Sequence, residues 1–154
     1  MPEAVFADIA TLRTGGKVDD YFIIHLMKPA RMPEVKITLK ASYLMCENEP
    51  RFVLHGTEGS YVKYGLDPQE ADLTKGMLPD TPHWGEEDES QWGILHTETD
   101  GNVVRKPYPT LPGNYAAFYE NIYQHIRNGA VLQSDACGVL GVIRLIEAAW
   151  ESSR

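Results

Sequence analysis

The chain has 154 residues, 43% of them hydrophobic, and a formal net charge of −8. That length predicts one domain spanning 1–154, able to bury a core without disulfide or metal staples. The acidic balance argues against nucleic acid or an anionic membrane as partner, and no apolar run approaches the ~20 residues of a membrane span.

From the N-terminus, Met1-Pro2-Glu3 shows neither the basic nor the apolar region of a secretory leader. Val5 to Leu12 reads as a strand stopped by Thr14-Gly15-Gly16, and Asp20 to Lys28 as a second stopped by Pro29. Glu34 to Met45 is a third, with clean alternation through Val35-Lys36-Ile37-Thr38-Leu39-Lys40. Arg51 to His55 and Ser60 to Tyr64 form a hairpin around Thr57-Glu58-Gly59, where Gly59 can supply a positive φ. Short connections make these strands antiparallel neighbours. Alternation places Phe22, Ile24 and Leu26 on one face, with Tyr21, Ile23, His25 and Met27 on the other. The second face also takes Lys36 and Lys40. It is either a solvated sheet face or a subunit contact. With Val53, these residues (Tyr21, Ile23, His25, Met27, Lys36, Lys40) are the candidates for a homo-oligomer surface.

Gly65 to Gln91 is a long loop with Pro68, Pro79 and Pro82 and the acidic run Glu86-Glu87-Asp88-Glu89, which reads as solvated charge. A short helix starts inside it, with Asp67 as N-cap and Pro68 in the first turn. Trp92 to Thr97 and Val103 to Tyr108 make a second hairpin around Asp100-Gly101. Two amphipathic helices follow. One carries Tyr115, Phe118, Tyr119, Ile122, Tyr123 and Ile126 between Asn114 and Gly129. The other starts at Ser134 or Asp135 and carries Val139, Leu140, Ile143, Ile146 and Trp150. Packing both stripes on the apolar sheet face gives an α+β fold: a largely antiparallel open sheet with helices on one face, a two-layer sandwich.

Motifs for chemistry are few. No G-x-G-x-x-G or Walker loop occurs, and Gly138-x-x-Gly141 lies inside the last helix, where small residues permit close packing. His25, His55, His83, His96 and His125 never fall at metal-ligand spacing, so no metal site is expected. Asp19 and Asp20 are adjacent and would point opposite ways on a strand, so they make no carboxylate pair. His83-Trp84 within the proline-rich loop suits either a pocket wall or a buried anchor for the loop. Cys46 and Cys137 read as free thiols, which points to the cytoplasm.

Several segments, in order, resemble one family. They are Asp8-Ile9 through Gly15-Gly16, Asp19-Asp20-Tyr21-Phe22, Thr38-Leu39-Lys40-Ala41-Ser42-Tyr43, and His55-Gly56-Thr57-Glu58-Gly59-Ser60. Lys63-Tyr64-Gly65-Leu66-Asp67-Pro68-Gln69-Glu70, Asn114-Tyr115-x-x-Phe118-Tyr119 and Ile143-x-x-Ile146-Glu147-Ala148-Ala149 continue the series. The chain is similar throughout to the C-terminal domain of the glucose–fructose oxidoreductase/inositol dehydrogenase family. The resemblance implies an NAD(P)-dependent oxidoreductase of sugars, inositols or related polyols. Its Rossmann domain, its Glu-Lys-Pro lysine and its Asp/His segment would precede Met1. Lys106-Pro107 does not stand in for that lysine motif, because Arg105 occupies the glutamate position. The chain itself is then expected to hold no cofactor and no catalytic residue, although NAD or NADP is implied for the full-length enzyme. Candidates for the substrate pocket are Tyr64, Asp67, Gln69, His83 and Trp84, in and beside the long loop. The alternative is a free-standing α+β dimerisation or ligand-binding module without redox activity.

Overall fold

The computed structural model describes residues 1–154, the side chain of Thr99 excepted. In chain order the elements are β1 (Pro2–Ala10), β2 (Tyr21–Pro29), β3 (Ile37–Ser42), β4 (Phe52–His55), β5 (Gly59–Lys63), α1 (Gln69–Thr74), a 3-10 turn (Glu89–Gln91), β6 (Gly93–Thr99), β7 (Asn102–Tyr108), α2 (Ala116–Asn128) and α3 (Ala136–Ser152). The class is α+β, as the alternation and the two helical stripes predict. The strands form two open antiparallel sheets, ordered β1-β2-β3 and β4-β5-β6-β7. The chain divides into two compact units, one of residues 1–46 with 133–154, the other of residues 47–132.

In the first unit, β2 is the central strand. Ile23 lies opposite Asp8 and Lys40, and His25 opposite Phe6 and Thr38. Ile24 lies opposite Ala7 and Leu39, so the two stripes separate by face. β3 is shorter than the expected 34–45 because its ladder ends with β2, where Ser42 faces Tyr21. On the mixed face, Phe6 stacks on His25 with ring centroids 6.1 Å apart. His25 Nδ1 is also 3.0 Å from Thr38 Oγ1. Tyr21, Ile23, His25, Met27 and Lys40 share this face. Lys36 precedes β3, and Val53 belongs to the second unit, opposite Val62 on β5.

Asp20 closes the β1–β2 connection. Its buried carboxylate accepts from the amides of Leu12 (2.7 Å) and Arg13 (3.1 Å). Asp19 accepts from the Thr11 hydroxyl at 3.2 Å. α3 is capped by Asp135, whose carboxylate accepts from the Gly138 amide at 2.7 Å. The helix meets β1 near its C-terminal end, where Ala149 is 1% exposed. The expected close packing at Gly138-x-x-Gly141 does not occur: a Cβ on Gly141 would meet open space. Val139, Leu140, Ile143, Ile146 and Trp150 stay about half exposed, because the small Ala149, not these large side chains, is what lies buried.

In the second unit, the β4–β5 hairpin forms as expected, but Gly59 plays a different part from the one its turn suggests. It is not among the residues with positive φ. It opens β5 opposite Thr97, where a Cβ would stand 2.7 Å from the His96 carbonyl oxygen and 2.9 Å from Thr97 Cβ. Space, not handedness, is what that glycine supplies. At the β6–β7 turn the expectation holds, with Asp100 at φ 52° and Gly101 at φ 76°. α2 ends at Gly129 (φ 68°), and the Asn114 carboxamide accepts from the Ala117 amide at 3.0 Å near its start.

Candidate functional site

The loop after β5 is held by two polar clusters, both within the second unit. The first begins at Lys63, the last residue of β5. Its ammonium lies 2.8 and 2.7 Å from the two carboxylate oxygens of Glu87 and donates to the Gln91 carbonyl at 2.9 Å. Only 9% of the Lys63 side chain and 5% of the Glu87 side chain is exposed. Two charges so removed from water lose hydration, and the short contacts with the extra carbonyl bond offset that loss. The acidic run is therefore not uniformly solvated, as its composition suggests. Glu87 is buried on Lys63, and Glu86 reaches His83 at 2.8 Å. Asp88 caps the 3-10 turn, and the Ser90 hydroxyl and amide beside it hold its carboxyl below the usual range.

The second cluster centres on Gln69, which is 0% exposed. Its Nε2 donates to both carboxylate oxygens of Asp67 at 3.0 Å. Its Oε1 accepts from the Trp84 indole (2.8 Å) and from the Tyr115 amide (2.9 Å). The four bonds use the whole amide and tie together the start of α1, the loop at Trp84 and the segment entering α2. Asp67 also accepts from the Gln69 amide at 2.9 Å, but the N-cap of α1 is Pro68, one residue after the expected Asp67, because Pro68 already has helical dihedrals.

Beside these clusters lies a cavity of ≈ 300 Å³, lined by Arg51, Phe52, Leu66, Asp67, Gly85 and Leu111, with Lys63 and Glu87 in its wall. Gly113 also borders it and donates to the Gly85 carbonyl at 3.0 Å. A Cβ on Gly113 would collide with the Asp67 carboxylate and the Gln69 amide. The lining joins one cation that has no ion pair among the described residues, Arg51, to the apolar side chains of Phe52, Leu66 and Leu111. Thr110, also in the lining, has a buried hydroxyl without a hydrogen-bond partner among the described residues. Such a mixture suits a small polar molecule with an apolar edge.

Of the five residues expected to form a pocket, the structure joins Asp67, Gln69 and Trp84. Only Asp67 lines the cavity; Gln69 and Trp84 act on it through their bonds. Between the two expectations for Trp84, its indole bond to a buried amide describes an anchor. His83 is 81% exposed on its side chain, and Tyr64 is also largely exposed. Arg51, Lys63, Glu87 and Leu111 escape sequence reasoning. No spacing links residue 51 to residue 111, and a buried glutamate inside an acidic run looks like its neighbours.

The residues present do not form a cradle for a nicotinamide dinucleotide. Every described strand pairing is antiparallel, whereas that cradle needs a parallel β-α-β unit with a glycine-rich turn. Among the described residues there is no cluster of three or more metal-ligating side chains. Cys46 and Cys137 are free and exposed, and no helix is long and apolar enough to cross a membrane.

Comparison with known proteins places these features in a family. The model of the oxidoreductase family, C-terminal alpha/beta domain, matches residues 2–154. The chain is 34% identical over 154 residues to scyllo-inositol 2-dehydrogenase (NADP(+)) IolW of Bacillus subtilis, covering all of this chain and 42% of that protein. A solved structure named as an oxidoreductase, from Bacteroides fragilis, superposes with a TM-score of 0.95 at 62% identity, over 100% of this chain and 46% of its own. The structure of yvaA from Bacillus subtilis, also named as an oxidoreductase, gives a TM-score of 0.92 at 34% identity, over 99% and 43%. The chain thus spans less than half the length of each of these relatives.

Proposed function

Since the chain belongs to the C-terminal alpha/beta domain family of oxidoreductases, we propose that it is the substrate-binding and self-associating part of a cytoplasmic NAD(P)-dependent dehydrogenase of a sugar or polyol. The match over residues 2–154 carries the reading. The substrate class is supported by the printed activity of the relative IolW on scyllo-inositol with NADP(+). It is further supported by the ≈ 300 Å³ cavity, whose Arg51 and Asp67 can meet hydroxyl groups while Phe52, Leu66 and Leu111 cover a ring face. On this reading nicotinamide binding and hydride transfer fall to residues other than these, which the antiparallel pairing of the described strands supports.

Calorimetry on the 154-residue chain with NADH and NADPH tests this division. No binding is expected. Stoichiometric binding at micromolar affinity or better would place the cofactor site in this chain and overturn the proposal.

Self-association through the mixed face of the first sheet belongs to the same reading. Phe6 and Met27 are exposed there beside Ile23, and pairing two such faces about a two-fold axis removes them from water. Lys40 lies opposite Ile23, so the axis should pass nearer the Phe6–His25 stack than β3. Sedimentation at tens of micromolar should show a dimer that Ile23→Asp dissociates. A clean monomer, or a dimer indifferent to Ile23→Asp, removes the sheet face from the account.

A further inference from the structure

β1 is an outer strand of its sheet, so its outward N–H and C=O groups form a template on which another strand could add. In an antiparallel ladder alternate residues direct these groups to the same edge. Ala7 and Ile9 are two such residues, and neither leaves its amide open. The Ala7 N–H donates to the Ser152 hydroxyl at 3.1 Å, and the Ile9 N–H donates to the Ser153 hydroxyl at 2.8 Å. The Ser153 hydroxyl in turn donates to the Ile9 carbonyl at 3.3 Å. A single side chain thus serves both the donor and the acceptor of Ile9, as a residue of an adjoining strand would. The two serines are consecutive at the end of α3, and Ala149 and Ala7 are the buried apolar residues of this unit.

We propose that Ser152 and Ser153 close the β1 edge against strand addition by a second copy of this chain. A second β1, antiparallel about Ala7, sets Val5 opposite Ile9, Phe6 opposite Asp8 and Glu3 opposite Thr11. No like charges meet within β1 in that register, and the helix end stands against the pairing. The edge is blocked by side-chain hydroxyls that copy a strand's hydrogen bonds without offering a further edge. An inward charge or a proline would be the commoner device, but β1 carries neither at these positions.

Amide exchange on the full 154-residue chain tests the assignment residue by residue. Ser152→Ala should speed exchange of the Ala7 amide roughly ten-fold and leave Ile9 alone, and Ser153→Ala should do the reverse. In an Ile23→Asp background, which keeps the mixed sheet face out of the reading, the double alanine variant should sediment as a larger species than its parent. Equal acceleration of both amides by either single variant would mean general loosening and overturn the proposal. So would a double variant that sediments like its parent. A Ser152→Thr/Ser153→Thr chain, which keeps both hydroxyls, should behave as the parent; if it matches the alanine variant instead, the hydroxyls are not the agents.

Discussion

Lys63→Met should destabilise the second unit by about 3–5 kcal/mol, read from the urea midpoint of the 154-residue chain. The substitution leaves the Glu87 carboxylate, 5% exposed, without its counter-charge and the Gln91 carbonyl without its donor. Neither group can turn to water without pulling the loop from the sheet. Glu87→Gln should be milder, because an amide still accepts from the ammonium but leaves its positive charge uncompensated. The double change Lys63→Met/Glu87→Leu removes both charges and should recover most of the loss, since an apolar pair of similar volume avoids the desolvation of two ions. A Lys63→Met variant within about 0.5 kcal/mol of the parent, the range of ordinary surface substitutions, would show that the pair is solvated in solution.

Gln69→Leu should cost on the order of 4 kcal/mol, because it strands the Trp84 indole N–H and the Tyr115 amide, two donors of about 1–3 kcal/mol each when buried unpaired. Gln69→Glu separates the two sides of the hub. A carboxylate still accepts from Trp84 and Tyr115 through one oxygen, but it sets its second oxygen against Asp67, where Nε2 now donates. Burial and the neighbouring carboxylate both raise the pKa of the new group in the folded state. A raised folded pKa contributes stability that is present below the unfolded value, about 4.3 for glutamate, and lost as pH rises through the folded pKa. The deficit of Gln69→Glu relative to the parent should therefore be small in acid and grow toward neutral pH. Gln69→Leu should show a deficit with far less pH dependence. Equal deficits for the Glu variant across that range would remove the Asp67 contact from the hub.

Both predictions concern the same loop. Residues 65–91 resemble a lid in composition, with three prolines and a run of four acids. Lys63–Glu87 and Gln69–Trp84 both tie the start of this loop to its end, and there Leu66, Asp67, Gly85 and Glu87 form a wall of the cavity. A small molecule entering beside Asp67 would meet a surface already in place, which reduces the ordering that binding must otherwise supply.

Alternation and turn chemistry in the amino-acid sequence determined where the seven strands and three helices fall, to within a few residues at their ends. They also determined the antiparallel sense and the Asp100-Gly101 turn, and they placed the N-caps of α1, α2 and α3 to within one residue. These are short-range matters, settled by φ preferences, side-chain period and hydrogen bonds over a few residues. The ordered segments from Asp8 to Ala149 likewise pointed to the family. Other features depended on residues far apart in the chain. Glu87 finds Lys63 24 residues away, and Tyr115 finds Gln69 46 residues away. Ser153 finds Ile9 144 residues away. Gly59 looked like a turn glycine until the neighbouring strand showed that it yields space to His96 and Thr97. Whether a charge is buried with a partner or solvated alone depends on what packs against it, and only tertiary structure brings that partner near.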